Sequence, residues 1–214
     1  MLQTILEYFL HLDVHLAELT LAYGPWIYLI LFLIIFCETG LIFMPFLPGD
    51  SLLFAVGALA SIPSSGIDVM TVWCLLVFAA VLGDNVNYQV GQAVGPKIFT
   101  RPKSLLFNPK HLVSTQRFYV DYGARAVIFA RFMPIFRTFA PFVAGVARMP
   151  LKKYILFSCL GSLLWMSSFI GAGFFFGNIP KIKSNFHYVI VAVILVSFLP
   201  LLIAAIRKPS QSPS

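Results

Sequence analysis

Four charged side chains lie inside long apolar stretches of this chain, and both stretches are interrupted by prolines. Glu38 and Asp50 bracket GLIFMPFLPGD (40–50), and Arg131 and Arg137 fall in RFMPIFRTFAP (131–141). A charge at mid-bilayer depth costs about 2.5–3.5 kcal/mol even on lenient insertion scales. Packing alone does not account for four of them at two similarly broken places. The pattern predicts a membrane protein with a polar site at its centre.

Composition agrees. The chain is 59% hydrophobic and 11% charged, the balance of a polytopic membrane protein and not of a soluble domain. The start, MLQTILEYFLHLDVHLAEL, has no basic n-region and carries Glu7, Asp13 and Glu18, so it does not read as a signal peptide. Cys37, Cys74 and Cys159 are far apart in apolar runs, without metal-ligand spacing; neither a disulfide nor a metal is expected, and no cofactor. The net charge of +7 does not argue for nucleic acid. Residues 1–96 hold seven of the eight acids and no Lys or Arg, while all fifteen bases lie between Lys97 and Lys208, flanking or interrupting apolar segments. A nucleic-acid module would spread them over a wet surface. Cytoplasmic loops gather Lys and Arg, which explains most of these bases but not Arg131 or Arg137.

The expected architecture is all-α and polytopic, a single membrane domain over 1–214. Residues 2–22 read as an interfacial helix with a polar stripe of Glu7, His11, His15 and Glu18. The histidines fit a solvated helix face better than a pH sensor. From 26 to 60 the chain is apolar around its break. Arms of about twelve and eleven residues would each rise roughly 16–18 Å, about half of a ~30 Å hydrocarbon core. A re-entrant helical hairpin fits, with Glu38, Pro45, Pro48, Gly49 and Asp50 near its tip; one full span followed by an interfacial helix is the competing reading. Residues 69–91 form a spanning helix with Asp84, Asn85 and Asn87 near its far end, followed by a basic cytoplasmic loop at 92–123. A second hairpin at 124–149 turns around Pro134 to Pro141. Spans at 154–177 and 188–206 and a cytoplasmic tail at 207–214 complete the chain. Each hairpin followed by a span, in opposite orientations, makes an inverted repeat, a plan of secondary transporters. FMPFL (43–47) and FMPIF (132–136) echo one another across it, and Gly91/Gly95 and Gly173/Gly177 offer faces for close helix packing.

ETGLIFMPFLPGDSLLFAVGALA (38–60), GDNVNYQVGQAVG (83–95) and FARFMPIFRTFAPFVAGVARM (129–149) resemble the DedA family of bacterial inner-membrane proteins, over nearly the whole chain. The resemblance implies two re-entrant hairpins in inverted repeat, a multi-pass inner-membrane location with the C-terminus cytoplasmic, and proton-motive-force-dependent transport in envelope homeostasis. For part of the family it implies movement of the carrier lipid undecaprenyl phosphate. The family's acidic pair and arginine pair map onto Glu38, Asp50, Arg131 and Arg137.

Arg131 and Arg137 are six apart and would diverge on an unbroken helix; Pro134 between them lets the chain turn. Two guanidiniums at the tip of a broken helix suit a lipid phosphate, either a polyprenyl phosphate or an anionic phospholipid. Glu38 and Asp50 suit proton coupling, with Asp84, Asn85 and Asn87 as accessories. Arg125 and Arg148 are expected at the cytoplasmic surface, against anionic lipid. Two rival readings stay open, a proton-coupled carrier of small cations or drugs and a passive phospholipid scramblase; so does homo-oligomerisation. Mutual neutralisation of acids and arginines is the purely structural alternative. An enzyme is not expected, because His11, His15, His111 and His187 all lie outside the broken segments and no nucleophile–His constellation appears.

Overall fold

A computed structural model describes residues 24–41, 49–98 and 123–177, together with 179, 182, 188, 191 and 192. The expected interfacial helix at 2–22, Pro45 and Pro48, most of the loop at 92–123, nearly all of the last span and the tail at 207–214 lie outside these residues. Within them the regular structure is helical: α1 Trp26–Gly40, α2 Gly49–Ala60, α3 Val69–Ile98, α4 Ala126–Ala130, α5 Pro134–Val146 and α6 Leu151–Phe176. Val69–Val94 and Leu151–Phe176 are long and apolar enough to cross a membrane.

Local chemistry sets the boundaries. Asp68 starts α3, its Oδ2 accepting from the Thr71 amide at 2.6 Å, and the hydrogen bonds from Thr71 hold its carboxyl below the usual range. Pro134 opens α5, where a missing N–H costs nothing. Two boundaries differ from expectation. The second break is confined to Arg131–Met133, and Pro141, expected at its edge, is a buried residue inside α5. It deprives the Arg137 carbonyl of one helical donor, a loss that tight packing against a neighbouring helix tolerates. Helix α3 also passes its expected end at 91 and runs to Ile98, so the expected 92–123 loop begins as helix.

The packing exchanges partners between two similar halves. Helix α1 lies on α3 and α4 on α6, while α2 crosses over to α6 and α5 to α3. Glycines make the crossed contacts possible. A Cβ on Gly57 would strike the Ile170 carbonyl and one on Gly173 the Phe54 carbonyl; likewise Gly145 meets Tyr88 and Gly91 meets Phe142. Both crossings therefore pair a Phe-x-x-Gly on the short helix (Phe54/Gly57, Phe142/Gly145) with a glycine on the long one. The long helices run antiparallel: Trp73 Nε1 donates to Ser167 Oγ at 3.1 Å, Ser158 Oγ to Asp84 Oδ2 at 2.5 Å, and the Tyr88 and Tyr154 rings stack at 4.4 Å. One apolar core, including Leu31, Leu53, Leu76 and Met166, fills one end of this arrangement. A smaller one around Tyr88, Val127, Ala144 and Tyr154 fills the other.

Gly173→Val should lower the unfolding free energy in detergent by about 1–3 kcal/mol, because its side chain overpacks the α2–α6 crossing. Gly171, with nothing within 4 Å of its would-be Cβ, supplies the control. Equal losses for Gly173→Val and Gly171→Val would contradict the close-crossing account.

Candidate functional site

Between the two apolar cores α1, α2, α3, α5 and α6, together with the residue that ends α4, contribute polar groups to one buried cluster. Helix α1 ends just beyond Glu38, and α2 begins at Gly49 and Asp50, so the inner ends of these two helices meet. At its other end α1 is tied to the start of α3, where the Asp68 amide donates to Tyr28 Oη at 2.8 Å. On the other half Arg131 terminates α4 and Arg137 sits in the first turn of α5.

Arg137 joins two acids from separate helices, through Nη1 to Asp50 Oδ1 at 2.8 Å and Nη2 to Glu38 Oε1 at 2.5 Å. Arg131 reaches a third acid: its Nη2 donates to Asp84 Oδ2 and, at 2.7 Å, to Ser162 Oγ. Trp165 lies against both guanidiniums, with its ring centroid 5.5 Å from Arg131 Cζ and 4.7 Å from Arg137 Cζ. Its Nε1 donates to Asp50 Oδ1 at 2.8 Å. The cluster is closed to solvent, with Glu38 at 0%, Asp84 at 2%, Arg131 at 3% and Arg137 at 4% exposure, whereas the Asp50 side chain keeps 13%. Three carboxylates thus face two guanidiniums. Despite these pairings, Glu38 Oε2, Arg131 Nη1 and Arg137 Nε have no hydrogen-bond partner among the described residues.

Glu38, Asp50, Arg131 and Arg137, singled out in the sequence, come together here. Gly49 lies against the Glu38 carboxylate, which a Cβ at that position would overlap. Asp84 is corrected in position: it is not near a helix end but about halfway along α3, because the helix continues to Ile98. Asn87 braces the site, its Nδ2 donating to Thr39 O at 3.1 Å and Thr138 O at 2.8 Å, which ties α1 to α5. Asn85 Oδ1 is buried without a hydrogen-bond partner among the described residues. Arg125 and Arg148 are exposed.

Sequence reasoning missed Ser158, Ser162 and Trp165. Together with Tyr154 they recur at spacings of four, four and three, which places them on one face of α6. That stripe of polar and aromatic groups in an apolar span was the signal. Tyr154 Oη donates to Asp84 O at 3.1 Å, Ser158 Oγ to Asp84 Oδ2 at 2.5 Å and Ser162 Oγ to Ser158 O at 2.8 Å. No group of three or more His, Cys, Asp or Glu suited to a metal ion occurs among the described residues.

Antiparallel apolar spans enclosing paired arginines and acids define an integral membrane protein with a buried ionic site. Residues 47–175 match the model of the VTT domain, and the chain belongs to that family, the DedA family. It is 49% identical to Protein DedA of Escherichia coli K12 over 203 residues, covering 95% of this chain and 93% of that protein. It is 40% identical to uncharacterized membrane protein ML0287 of Mycobacterium leprae, over 80% of this chain and 76% of that one. Inner membrane protein YghB of E. coli K12 is 29% identical over 85% of both chains. No solved structure matches.

Removing one partner of a buried ion network strands the others. Arg137→Ala should therefore destabilise the protein by about 3–5 kcal/mol, and adding Glu38→Gln should restore part of that loss. Chemical unfolding in detergent measures both; strictly additive losses would show that Arg137 and Glu38 are not coupled.

Proposed function

We propose that the protein carries an anionic lipid phosphate, such as undecaprenyl phosphate, across the bacterial inner membrane and draws on the proton gradient to do so. The helix–break–helix units 26–60 and 124–149 act as re-entrant hairpins in inverted repeat, and the cluster lies near the bilayer midplane. The observation that carries this reading is the pair of buried guanidiniums on one tryptophan, each with an N–H left over. A phosphate oxygen satisfies such donors in the way a carboxylate does. The first turns of α2 and α5 also lie at the cluster, where helix N-termini favour an anion. The headgroup enters between the arginines while the tail stays in lipid.

Charge balance supplies the coupling. Acids already exceed arginines in the cluster, so a phosphate adds negative charge to a site that has too much of it. When Arg137 turns to the phosphate, Glu38 loses its hydrogen bond from that arginine, and its Oε2 has no partner among the described residues. A buried carboxylate stripped in this way takes a proton. Substrate binding and proton uptake then become one event, and release of the proton to the opposite side returns Glu38 to Arg137.

Proteoliposomes holding the full chain test this directly. With undecaprenyl phosphate as substrate, an imposed pH gradient should accelerate transbilayer movement on the order of tenfold in wild type, and Glu38→Gln should abolish that acceleration. Gradient-independent movement of several phospholipids would indicate a scramblase, and proton-coupled uptake of a cation unaffected by the lipid phosphate a cation carrier. Either outcome overturns the proposal.

A further inference from the structure

The two arginines hold their acids differently. Arg137 commits both terminal nitrogens, one to Asp50 and one to Glu38, and its Nε has no partner among the described residues. Arg131 commits Nη2 alone, to Asp84 and Ser162, and its Nη1 has no partner among the described residues although the side chain is buried. Neither arginine forms a two-bond fork on one carboxylate, but freeing Arg131 breaks its contact to one acid, whereas freeing Arg137 breaks contacts to two.

The acids differ as well. Asp84 Oδ2 accepts from Ser158 Oγ at 2.5 Å in addition to Arg131, so the carboxylate keeps a hydroxyl donor if the arginine leaves. Ser162 stands beside it, sharing Arg131 Nη2 and giving its own proton to the Ser158 carbonyl. Glu38 has no hydroxyl in reserve: Arg137 is its side-chain donor among the described residues, the Gly49 amide is its backbone donor, and its Oε2 has no hydrogen-bond partner there. Through an exchange of arginine partners Asp84 keeps a side-chain hydroxyl donor, whereas Glu38 keeps only a backbone amide among the described residues.

We infer that Asp84 is a resident substitute for the anionic headgroup. It parks Arg131 through a single contact, with Ser158 in reserve, and yields the arginine to an arriving phosphate. It reclaims Arg131 when the phosphate departs. Asp84 is thus a positioning residue for Arg131, setting how tightly the headgroup is held and how fast it leaves, while Glu38 handles the proton. This inference rests on the lipid-phosphate reading above.

Competition gives Asp84 and Ser158 opposite signatures. Asp84→Asn keeps the shape but removes the competing charge, so phosphate binding should tighten by about tenfold while turnover falls because release slows. Ser158→Ala removes the reserve donor, making Asp84 reluctant to release Arg131, so binding should weaken. A purely structural role for the pair would weaken binding in both variants or in neither.

The experiment uses the purified full-length chain in detergent, with farnesyl phosphate as a soluble probe and thermal unfolding to establish that each variant is folded. Tighter binding for Asp84→Asn and weaker binding for Ser158→Ala support the inference. Unchanged or weaker binding by folded Asp84→Asn overturns it, while wild-type binding leaves the parent reading intact. Should Asp84→Asn not fold, Ser158→Ala decides, and unchanged binding there is the overturning result. Absence of binding by wild type removes both the parent reading and this one.

Discussion

Burying two guanidiniums and three carboxylates in an apolar interior is the constraint on which the rest of this structure depends. None of the five is tolerable alone at that depth, so each must be delivered to its partner with little freedom. Glu38 and Asp50 come from two helices and Arg137 from a third, and the ion pairs close only where the inner ends of those helices meet. Arg131 and Asp84 form a further buried pair, with Arg131 also against Trp165. The breaks in the apolar stretches are what allow helices to begin and end at the cluster instead of passing it.

The glycine crossings hold this geometry. Because α2 leans on α6 and α5 on α3, each half of the chain supplies the wall against which the other half's site-bearing helix packs. Phe54 and Gly57 on one side and Phe142 and Gly145 on the other set nearly the same backbone separation. A relative shift of the two halves therefore changes the Arg137–Glu38 and Arg137–Asp50 distances together. On the proposed carrier reading, partner exchange at the cluster would be mechanically linked to movement of the halves.

Much of the site was legible in the sequence, and the reason is chemical. Charges are so rare in the apolar stretches that Glu38, Asp50, Arg131 and Arg137 identify themselves, and the prolines beside them mark the breaks. What stayed hidden was cheap to place in a membrane helix. A serine can satisfy its hydroxyl within its own helix, as Ser162 does on the Ser158 carbonyl, and a tryptophan in an apolar span looks like core, so only the spacing of Ser158, Ser162 and Trp165 carried information. Asp84 was misplaced because the polar run GDNVNYQ reads as a helix leaving the membrane; a helix lined on that face by Asn87, Tyr88 and Gly91 stays packed and continues. Pro141 was taken for part of the break because proline usually ends a helix, a rule that close packing relaxes.

The central claim is that an anion opens the cluster and a proton closes the charge balance. Proton uptake on binding measures it most directly: farnesyl phosphate is added to the detergent-solubilised protein in weakly buffered solution while pH is followed. The account predicts uptake on the order of one proton per phosphate bound, lost in Glu38→Gln. Saturable binding with no proton uptake by the wild type would contradict it.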